Sequence, residues 1–292
     1  MSTVRTYAEL ATHVIRRLEE HGIAVPSMSR LHRMRGLFVD PDGMPKPIIL
    51  PNDPEIELAQ EAMRDFQHLG FIMDELTRVL APAVLKTQLR AVIHDSALPQ
   101  DDRTNSTGRD RQSELYVAAI CAKAGMQPIF VEPDLQCRFN DGTWSLAVKR
   151  VKSAGKFARH IKKAVEQIEN AALPGIVVAD ISLMLNPTNT RIVSKMPDGD
   201  FRHWWTEKLT SFVDTQIIVP IEQNGLEEWF AGTRAHGLIL IDHHVRLVPA
   251  SSWQLDSMAF NVDLSSEVGR AQDIAIFFSV FERGLATTTT VK

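Results

Sequence analysis

The spacing of apolar residues predicts that the first third of the chain is mainly helical. Apolar residues recur every three or four positions over residues 6–21, and the same period returns over 54–70 and 73–94. A polar run over 99–108 ends this pattern and is typical of a linker. We therefore expect a helical N-terminal domain over residues 1–105 that selects substrate, binds a partner or sets the oligomeric state.

Beyond the linker the pattern changes to alternating strands and helices. The predicted elements are, in order, a helix over 112–124, strands over 128–131, 135–139 and 144–151, a helix over 154–170 and a strand over 175–183. Asn140-Asp141-Gly142 is a hairpin signal, so the second and third strands should pair antiparallel. This order predicts an α/β fold over residues 106–292, in which a mixed sheet is flanked by helices.

The rest of the chain predicts further helices and one strand or hairpin. Helices are expected near 201–214, 225–234 and 269–284, and a strand or hairpin over 236–248. Adjacent histidines in a strand point to opposite faces and do not chelate one ion together, so Asp242, His243 and His244 are expected at a turn or an edge. The helical tryptophans are expected mainly in the core and the isolated histidines at the surface or at helix caps: Trp204, Trp205, Trp229, His21, His32, His68 and His94.

Composition places the chain among ordinary globular proteins. Its 292 residues are 44% hydrophobic and 23% charged, and no apolar run approaches the length of about 20 residues that crosses a membrane. The start of the chain lacks the apolar segment of a secretory signal. Cys121 and Cys137 lie in apolar segments, as buried free thiols do. We expect a cytoplasmic protein that does not contact membranes.

Charge is distributed unevenly along the chain. The net charge of -4 does not suggest a uniformly basic protein, yet residues 149–163 contain lysines and arginines and no acidic residue. This run gives the strongest local positive field in the sequence. It begins at Lys149, which is also a candidate catalytic residue.

Glu114 is the charged member of an otherwise apolar helix face. The positions that share its face include Val117, Ala118 and Cys121. A buried carboxylate is costly unless a cation compensates it, so a metal ion, a lysine or an arginine should lie opposite. The ordinary alternative is a carboxylate near a helix start, stabilised by the helix dipole or paired with Arg111.

Asp134 and Lys149 are expected to meet across the predicted hairpin. Asp134 opens the second strand, and the third strand returns beside it. Strand alternation puts Lys149 on the same face as the small residues Ser145 and Ala147, where a ligand has room. The alternative is an aspartate that starts a strand and a lysine at a sheet edge, which are both common.

These residues resemble the PD-(D/E)xK nuclease superfamily, whose fold occurs in many restriction endonucleases, repair nucleases and phage-defence effectors. The similarity covers about residues 109–183. It looks most like bacterial members in which an Arg-Asp-x-x-x-Glu helix precedes Glu-Pro-Asp and a Lys-Arg pair, here Arg109, Asp110, Glu114, Glu132-Pro133-Asp134 and Lys149-Arg150. Gln167, in the following helix, matches a glutamine that several branches place near the site.

The resemblance implies a restriction-endonuclease-like fold and a metal-dependent hydrolase. Asp134, Glu114 and the backbone carbonyl of Val148 would hold Mg²⁺ or Mn²⁺, and water activated by the ion would attack the phosphate. Lys149 would orient that water or neutralise charge on the phosphate, with Gln167 close by. The neighbouring basic residues would contact DNA phosphates: Arg150, Lys152, Lys156, Arg159, Lys162 and Lys163.

One position departs from the family pattern. Ala147 stands where an aspartate or glutamate is expected, two residues before Lys149. Glu114 could replace the missing ligand, which predicts an active DNA endonuclease of restriction or phage defence. Otherwise Ala147 marks a nuclease-fold subunit that has lost catalysis and binds nucleic acid or a protein partner.

The resemblance also bears on assembly, since nucleases of this fold often cut duplexes as dimers. We therefore expect a homodimer or larger homo-oligomer. Phe277 and Phe278 in the last helix could serve such an interface, and the alternative is that they belong to the core.

Overall fold

The computed structural model describes residues 6–47, 53–99, 106–188, 190, 192–219, 225–248, 252–264, 270–285 and 289–291. The predicted domain boundary at residue 105 lies outside these ranges. In the described part of the chain no helix is both long enough and apolar enough to cross a membrane.

The N-terminal part of the chain is helical. It comprises α1 (Tyr7–Glu20), α2 (Arg30–Arg35), α3 (Ile56–Leu76), α4 (Pro82–Leu89) and a 3₁₀ turn (Arg90–Ile93). Thr6 caps α1 through a reciprocal pair of hydrogen bonds with Glu9, which satisfies two backbone donors at the helix start. The longest of these helices, α3, packs against the sheet as well as against α1.

The next six elements follow the predicted order of helix, three strands, helix and strand. They are α5 (Thr107–Lys123), β1 (Gln127–Ile129), β2 (Leu135–Phe139), β3 (Gly142–Arg150), α6 (Ala154–Ala171) and β4 (Gly175–Asp180). The first three strands pair antiparallel, and β4 lies parallel to β3. The predicted hairpin turn joins β2 to β3, with Asn140 in a left-handed conformation at φ 51°. The prediction of a mixed α/β sheet flanked by helices is confirmed.

The remaining elements complete a larger sheet than the sequence pattern indicated. They are α7 (Ser182–Leu185), β5 (Ile192–Val193), α8 (Asp198–Val213), a π-helical turn (Asp214–Ile218), α9 (Leu226–Phe230), β6 (Ala235–Val248), β7 (Ser252–Asp263), α10 (Ala271–Leu285) and β8 (Thr289–Val291). The strand order is β1-β2-β3-β4-β6-β7-β8, and β5 pairs with β6. The strands β6 and β7 form a long antiparallel hairpin, of which the sequence predicted the first strand.

The expectation that Asp242, His243 and His244 lie at a turn or an edge is wrong. All three lie inside β6, where they pair with β7 and have exposed fractions of 2 to 5%. Hydrogen bonds compensate this burial, because Asp242 binds His244 at 2.7 Å and the Trp205 indole at 2.7 Å. These polar groups hold α8 against the sheet.

Each face of the sheet carries its own apolar layer. Leu146 and Val148 of β3 pack with α1, α3, α5 and α10 on one face, while Ala147 and Val151 pack with α6 on the other. The predicted strand alternation is therefore confirmed. The N-terminal helices and the sheet share the first layer, which includes the fully buried Phe277. Phe278 is buried in the same layer, so the last helix uses this pair in the core.

Candidate functional site

Asp134 and Lys149 meet where β2 begins and β3 ends. The carboxylate of Asp134 accepts a hydrogen bond from the Val148 backbone N–H at 2.8 Å and another from the Lys149 ammonium at 2.7 Å. The same ammonium donates to the Val148 carbonyl oxygen at 2.9 Å. Register explains this contact, because Leu135 lies opposite Leu146 and the preceding Asp134 therefore faces the end of β3.

Glu114 approaches this pair from α5. Its side chain is 15% exposed and forms an ion pair with Arg111, one turn earlier on the same helix. The charges of Asp134 and Lys149 both act on Glu114, the first raising and the second lowering its pKa. The ordinary alternative of an Arg111 partner is therefore realised, and it coexists with the predicted approach to Asp134 and Lys149.

Burial raises the pKa of both carboxylates, Glu114 and Asp134. It raises the pKa of Glu114 to about 7, although Arg111 and Lys149 act in the opposite direction. It also raises the pKa of Asp134, against the charge and hydrogen bond of Lys149. Because Glu114 and Asp134 are both partly buried, an additional positive charge beside them would stabilise their ionised forms.

The donor set suits a magnesium ion. Among the described residues no group of three or more His, Cys, Asp or Glu side chains has the arrangement of a metal site. Glu114, Asp134 and the Val148 carbonyl nevertheless present the oxygen donors that Mg²⁺ prefers, and this ion commonly keeps several waters. We therefore regard Mg²⁺ or Mn²⁺ as chemically compatible with these residues.

Gln167 supports the loop that leads to Asp134. Its side-chain amide, on α6, lies 3.5 Å from the carbonyl oxygen of Pro133. This distance is at the long limit for an N–H···O hydrogen bond. Gln167 thus contacts Pro133, the residue that precedes Asp134.

The predicted phosphate-binding residues divide into two groups. Lys156, Arg159, Lys162 and Lys163 are exposed along α6 and Lys152 is half-exposed. The ammonium of Lys162 lies 4.4 Å from the centre of the Trp229 ring. Arg150 is different, because its side chain is 6% exposed, lies 3.8 Å from Asp110 and lines a partly open cavity.

That cavity is the main feature that the sequence did not predict. It measures about 30 Å³, which is enough for an ordered water, and lies where the parallel strands β3 and β4 end, beside His243 in the middle of β6. Its lining includes three arginines with carboxylates and histidines between them: Arg64, Arg109, Arg150, Glu61, Asp65, Asp180, His68 and His243. A signal existed in α3, where Glu61, Asp65 and His68 recur at helical spacing inside an apolar helix.

The expectation that His68 is a surface or capping residue is wrong. It is 7% exposed, and its ring lies 4.1 Å from that of Tyr116 and 4.6 Å from that of His243. Burial lowers the pKa of His68 well below its ordinary value and that of His243 to about 4. Both rings are therefore neutral parts of the interior near neutral pH.

The burial of the tryptophans and cysteines mostly agrees with the predictions from the sequence. Trp205 is buried at 3%, whereas Trp204 is 40% exposed, so the two neighbours differ. Cys121 and Cys137 are buried free thiols with their Sγ atoms 3.6 Å apart, as predicted.

The raised pKa of Glu114 predicts how stability changes with pH. The folded protein keeps this proton up to about pH 7, whereas the unfolded chain releases it near 4.5, so the stabilising effect is complete below pH 4.5 and is lost as pH approaches 7. We expect Glu114→Gln to exceed wild type in unfolding free energy by about 2 kcal/mol at about pH 8 and to match it at about pH 4. Urea unfolding with a chelator present measures this, and an equal difference at both pH values contradicts it.

The site thus combines residues that the sequence predicted with a cavity that the sequence did not predict. Glu114, Asp134 and Lys149 come from three different elements and act on one another electrostatically. Arg150 lines the cavity and lies 3.8 Å from Asp110, whose charge acts on Glu114. No protein-family model, curated protein or solved structure matches the chain.

Proposed function

We propose that the protein is a metal-dependent endonuclease that hydrolyses phosphodiester bonds of DNA. The observation that carries this proposal is the meeting of Asp134 with Lys149 across the β2-β3 hairpin, with Glu114 close enough to exchange electrostatic effects with both. Paired carboxylates beside a lysine suit hydrolysis of a phosphodiester. The proposal includes a homodimer or larger homo-oligomer when the substrate is duplex DNA.

The architecture around the site supports a restriction-endonuclease-like core. The run from α5 to β4 has the order of helix, three strands, helix and strand, with antiparallel pairs followed by one parallel pair. Glu114 lies on the first helix and Lys149 near the end of the third strand, as the resemblance to the PD-(D/E)xK superfamily implies. The fold alone does not define the reaction, so the proposal depends on the site.

Each residue of the site has a distinct task in the proposed reaction. Glu114, Asp134 and the Val148 carbonyl would hold Mg²⁺ or Mn²⁺. When bound, the ion would supply positive charge to the phosphoryl group and make water a better nucleophile. Lys149 places its ammonium beside Asp134, where it can donate a hydrogen bond to a phosphate oxygen and offset developing negative charge.

A catalytically inactive nuclease-fold subunit is the second candidate, and Ala147 favours it. Its side chain is fully buried in the apolar layer that also contains Phe157 and Ile161 of α6. A carboxylate at this position would lie in that layer, so the chain offers no ready place for the usual acid. Under this alternative the exposed lysines of α6 would still bind nucleic acid.

A metal titration with several nucleic acids tests the two candidates. Supercoiled plasmid, linear duplex, single-stranded DNA and RNA are incubated with the protein and Mg²⁺ or Mn²⁺, with a chelator as the blank. Cleavage of DNA that requires the ion supports the nuclease, and cleavage confined to RNA redirects the substrate class. Salt-sensitive binding without cleavage under every condition supports the inactive subunit.

The exposed basic face of α6 predicts a specific salt dependence of DNA binding. Lys156, Arg159 and Lys163 lie on one side of the helix at spacings of three and four residues. Replacing all three by glutamine should reduce the slope of log affinity against log salt by about 2 to 3 for duplex DNA, since each lost phosphate contact removes about 0.9. Fluorescence anisotropy in a chelator measures the slope.

The matched control removes three positive charges elsewhere. Arg16, Arg33 and Arg78 are exposed and belong to the N-terminal helical part. Their triple glutamine variant has the same net charge as the α6 variant and should keep the wild-type slope. Equal slopes for the two triple variants would show that α6 is not the phosphate-binding surface.

A further inference from the structure

Each carboxylate of the proposed metal site is already paired with a side-chain cation. The Lys149 ammonium lies 2.7 Å from Asp134, and the Arg111 guanidinium contacts Glu114. These cations neutralise two partly buried acids that would otherwise repel each other. A divalent cation that binds here must therefore compete with them.

The two cations differ in how firmly they are held. The Lys149 side chain is 13% exposed and is fixed by both Asp134 and the Val148 carbonyl. The Arg111 side chain is 35% exposed, and its partner lies three residues away on the same helix. Breaking the Arg111 pair separates no two elements of the fold, and the guanidinium can turn towards solvent.

Position on the helix supports the same distinction. Both Arg111 and Glu114 belong to α5, whose first turns carry the acidic side of the site. An i, i+3 pair joins two side chains of one helix, so the more exposed Arg111 can adopt another rotamer without movement of the backbone. Glu114 can thus exchange one cation for another while α5 stays in place.

We infer that Arg111 is the residue that a divalent cation displaces, and that it sets the ion affinity of the site. This inference rests on the proposed function. With the ion absent, Arg111 neutralises Glu114; when the ion binds, Glu114 turns to the ion and Arg111 moves into solvent. The pair therefore weakens ion binding, so a higher ion concentration is needed to occupy the site.

Ion binding without nucleic acid tests this inference directly. Isothermal titration calorimetry with Mn²⁺ compares wild type with Arg111→Gln, which cannot pair ionically with Glu114. We expect Arg111→Gln to bind Mn²⁺ about tenfold more tightly, because the ion no longer has to break a charge-assisted contact. Arg111→Lys keeps the positive charge and should remain within about threefold of wild type.

Arg78→Gln is the matched control. It breaks an ion pair of the same i, i+3 spacing, between Glu75 in the last turn of α3 and Arg78 just beyond the end of that helix. Glu75 acts electrostatically on Lys123 at the end of α5, which is nine residues beyond Glu114 and therefore about 14 Å along the helix. The Mn²⁺ affinity of this variant should equal that of wild type, and thermal melting confirms that each variant is folded.

The possible results separate the inference from the proposed function. If Arg111→Gln binds Mn²⁺ no more tightly than wild type while Asp134→Asn abolishes binding, the role of Arg111 is overturned and the metal site stands. Equal gains for Arg111→Gln and Arg78→Gln also overturn it, since net charge would then explain the change. If wild type binds no Mn²⁺, or Asp134→Asn binds as wild type does, the metal site itself is wrong and the inference falls with it.

Discussion

Lys149→Met and Asp134→Asn should each reduce ion-dependent DNA cleavage by at least about 100-fold. The Lys149 ammonium is held between Asp134 at 2.7 Å and the Val148 carbonyl at 2.9 Å, where it can meet a phosphate oxygen. Methionine keeps an unbranched side chain that is one atom shorter and removes the charge. Asparagine preserves the shape of Asp134 and removes the negative charge that would attract the ion and that anchors the lysine.

Initial cleavage rates on a labelled DNA substrate measure this effect. Lys156→Met is the matched control, because it removes an exposed ammonium from the same basic stretch without touching Asp134. Its rate at low salt should stay within about tenfold of wild type, since a lost phosphate contact alters binding more than chemistry. Unchanged cleavage in both Lys149→Met and Asp134→Asn would refute the assigned site.

Folding must be measured alongside these rates. Asp134 also accepts the Val148 backbone N–H at 2.8 Å, so Asp134→Asn loses some stability as well as charge. Lys149→Met also loses a backbone contact, the hydrogen bond to the Val148 carbonyl oxygen at 2.9 Å, but it leaves the Val148 N–H bonded to Asp134. A loss of cleavage in Lys149→Met with an unchanged melting temperature therefore gives the cleaner evidence for a chemical role.

The central part of the fold could be predicted because its signals are local. The Asn140-Asp141-Gly142 turn fixes the pairing of β2 with β3, and strand alternation then assigns Ala147 and Lys149 to one face. The contact between Asp134 and Lys149 follows from the same short hairpin. It spans 15 residues, so the turn alone brings the two side chains together.

Contacts between distant parts of the chain could not be predicted in the same way. Arg30 binds Gln112 across 82 residues, and the residues near either partner carry no information about the other. Strand β7 was missed for a related reason, because its Ser, Gln, Asp and Asn residues break the apolar pattern while β6 supplies the pairing. His243 was misplaced because its burial depends on Tyr116, which is distant in sequence, and on Ser257 of β7, a strand that the sequence did not predict.

The role of Glu114 shows where the sequence left two answers open. A buried carboxylate required a cation, and Arg111 on the same helix was one named candidate. Helical spacing alone could not decide whether this arginine or a metal ion compensates the charge. We infer that the two are successive partners of one carboxylate, and the Mn²⁺ titration tests this inference.

Asp65→Asn should lower the unfolding free energy by about 3 to 5 kcal/mol, because it leaves buried arginines without their carboxylate. The Arg30 side chain is fully buried and pairs with Asp65, while its other donors bind the Val92 carbonyl at 2.7 Å and Gln112 at 2.6 Å. Gln112 in turn donates to Asp65 at 3.0 Å. This network joins α2, α3 and the start of α5, which also carries Glu114.

A double variant separates the cost of an unpaired charge from the value of the pair. In Arg30→Met combined with Asp65→Leu, both charges are replaced by apolar side chains of comparable size, so no unpaired Arg30 charge remains buried. We expect this variant to lose less stability than Asp65→Asn by about 1 to 3 kcal/mol, as measured by urea unfolding. Arg109, which lies 3.7 Å from Asp65, keeps its contact with Glu61 at 3.3 Å in both variants.

Asp74→Asn is the control on the same helix. Asp74 pairs with Arg17 but has a side chain that is 56% exposed, so water can replace the lost partner. Asp74→Asn should therefore lower the unfolding free energy by less than about 1 kcal/mol. Equal losses for Asp65→Asn and Asp74→Asn would mean that the interior network around Arg30 contributes no more than a surface ion pair, and that α5 is positioned by its apolar contacts alone.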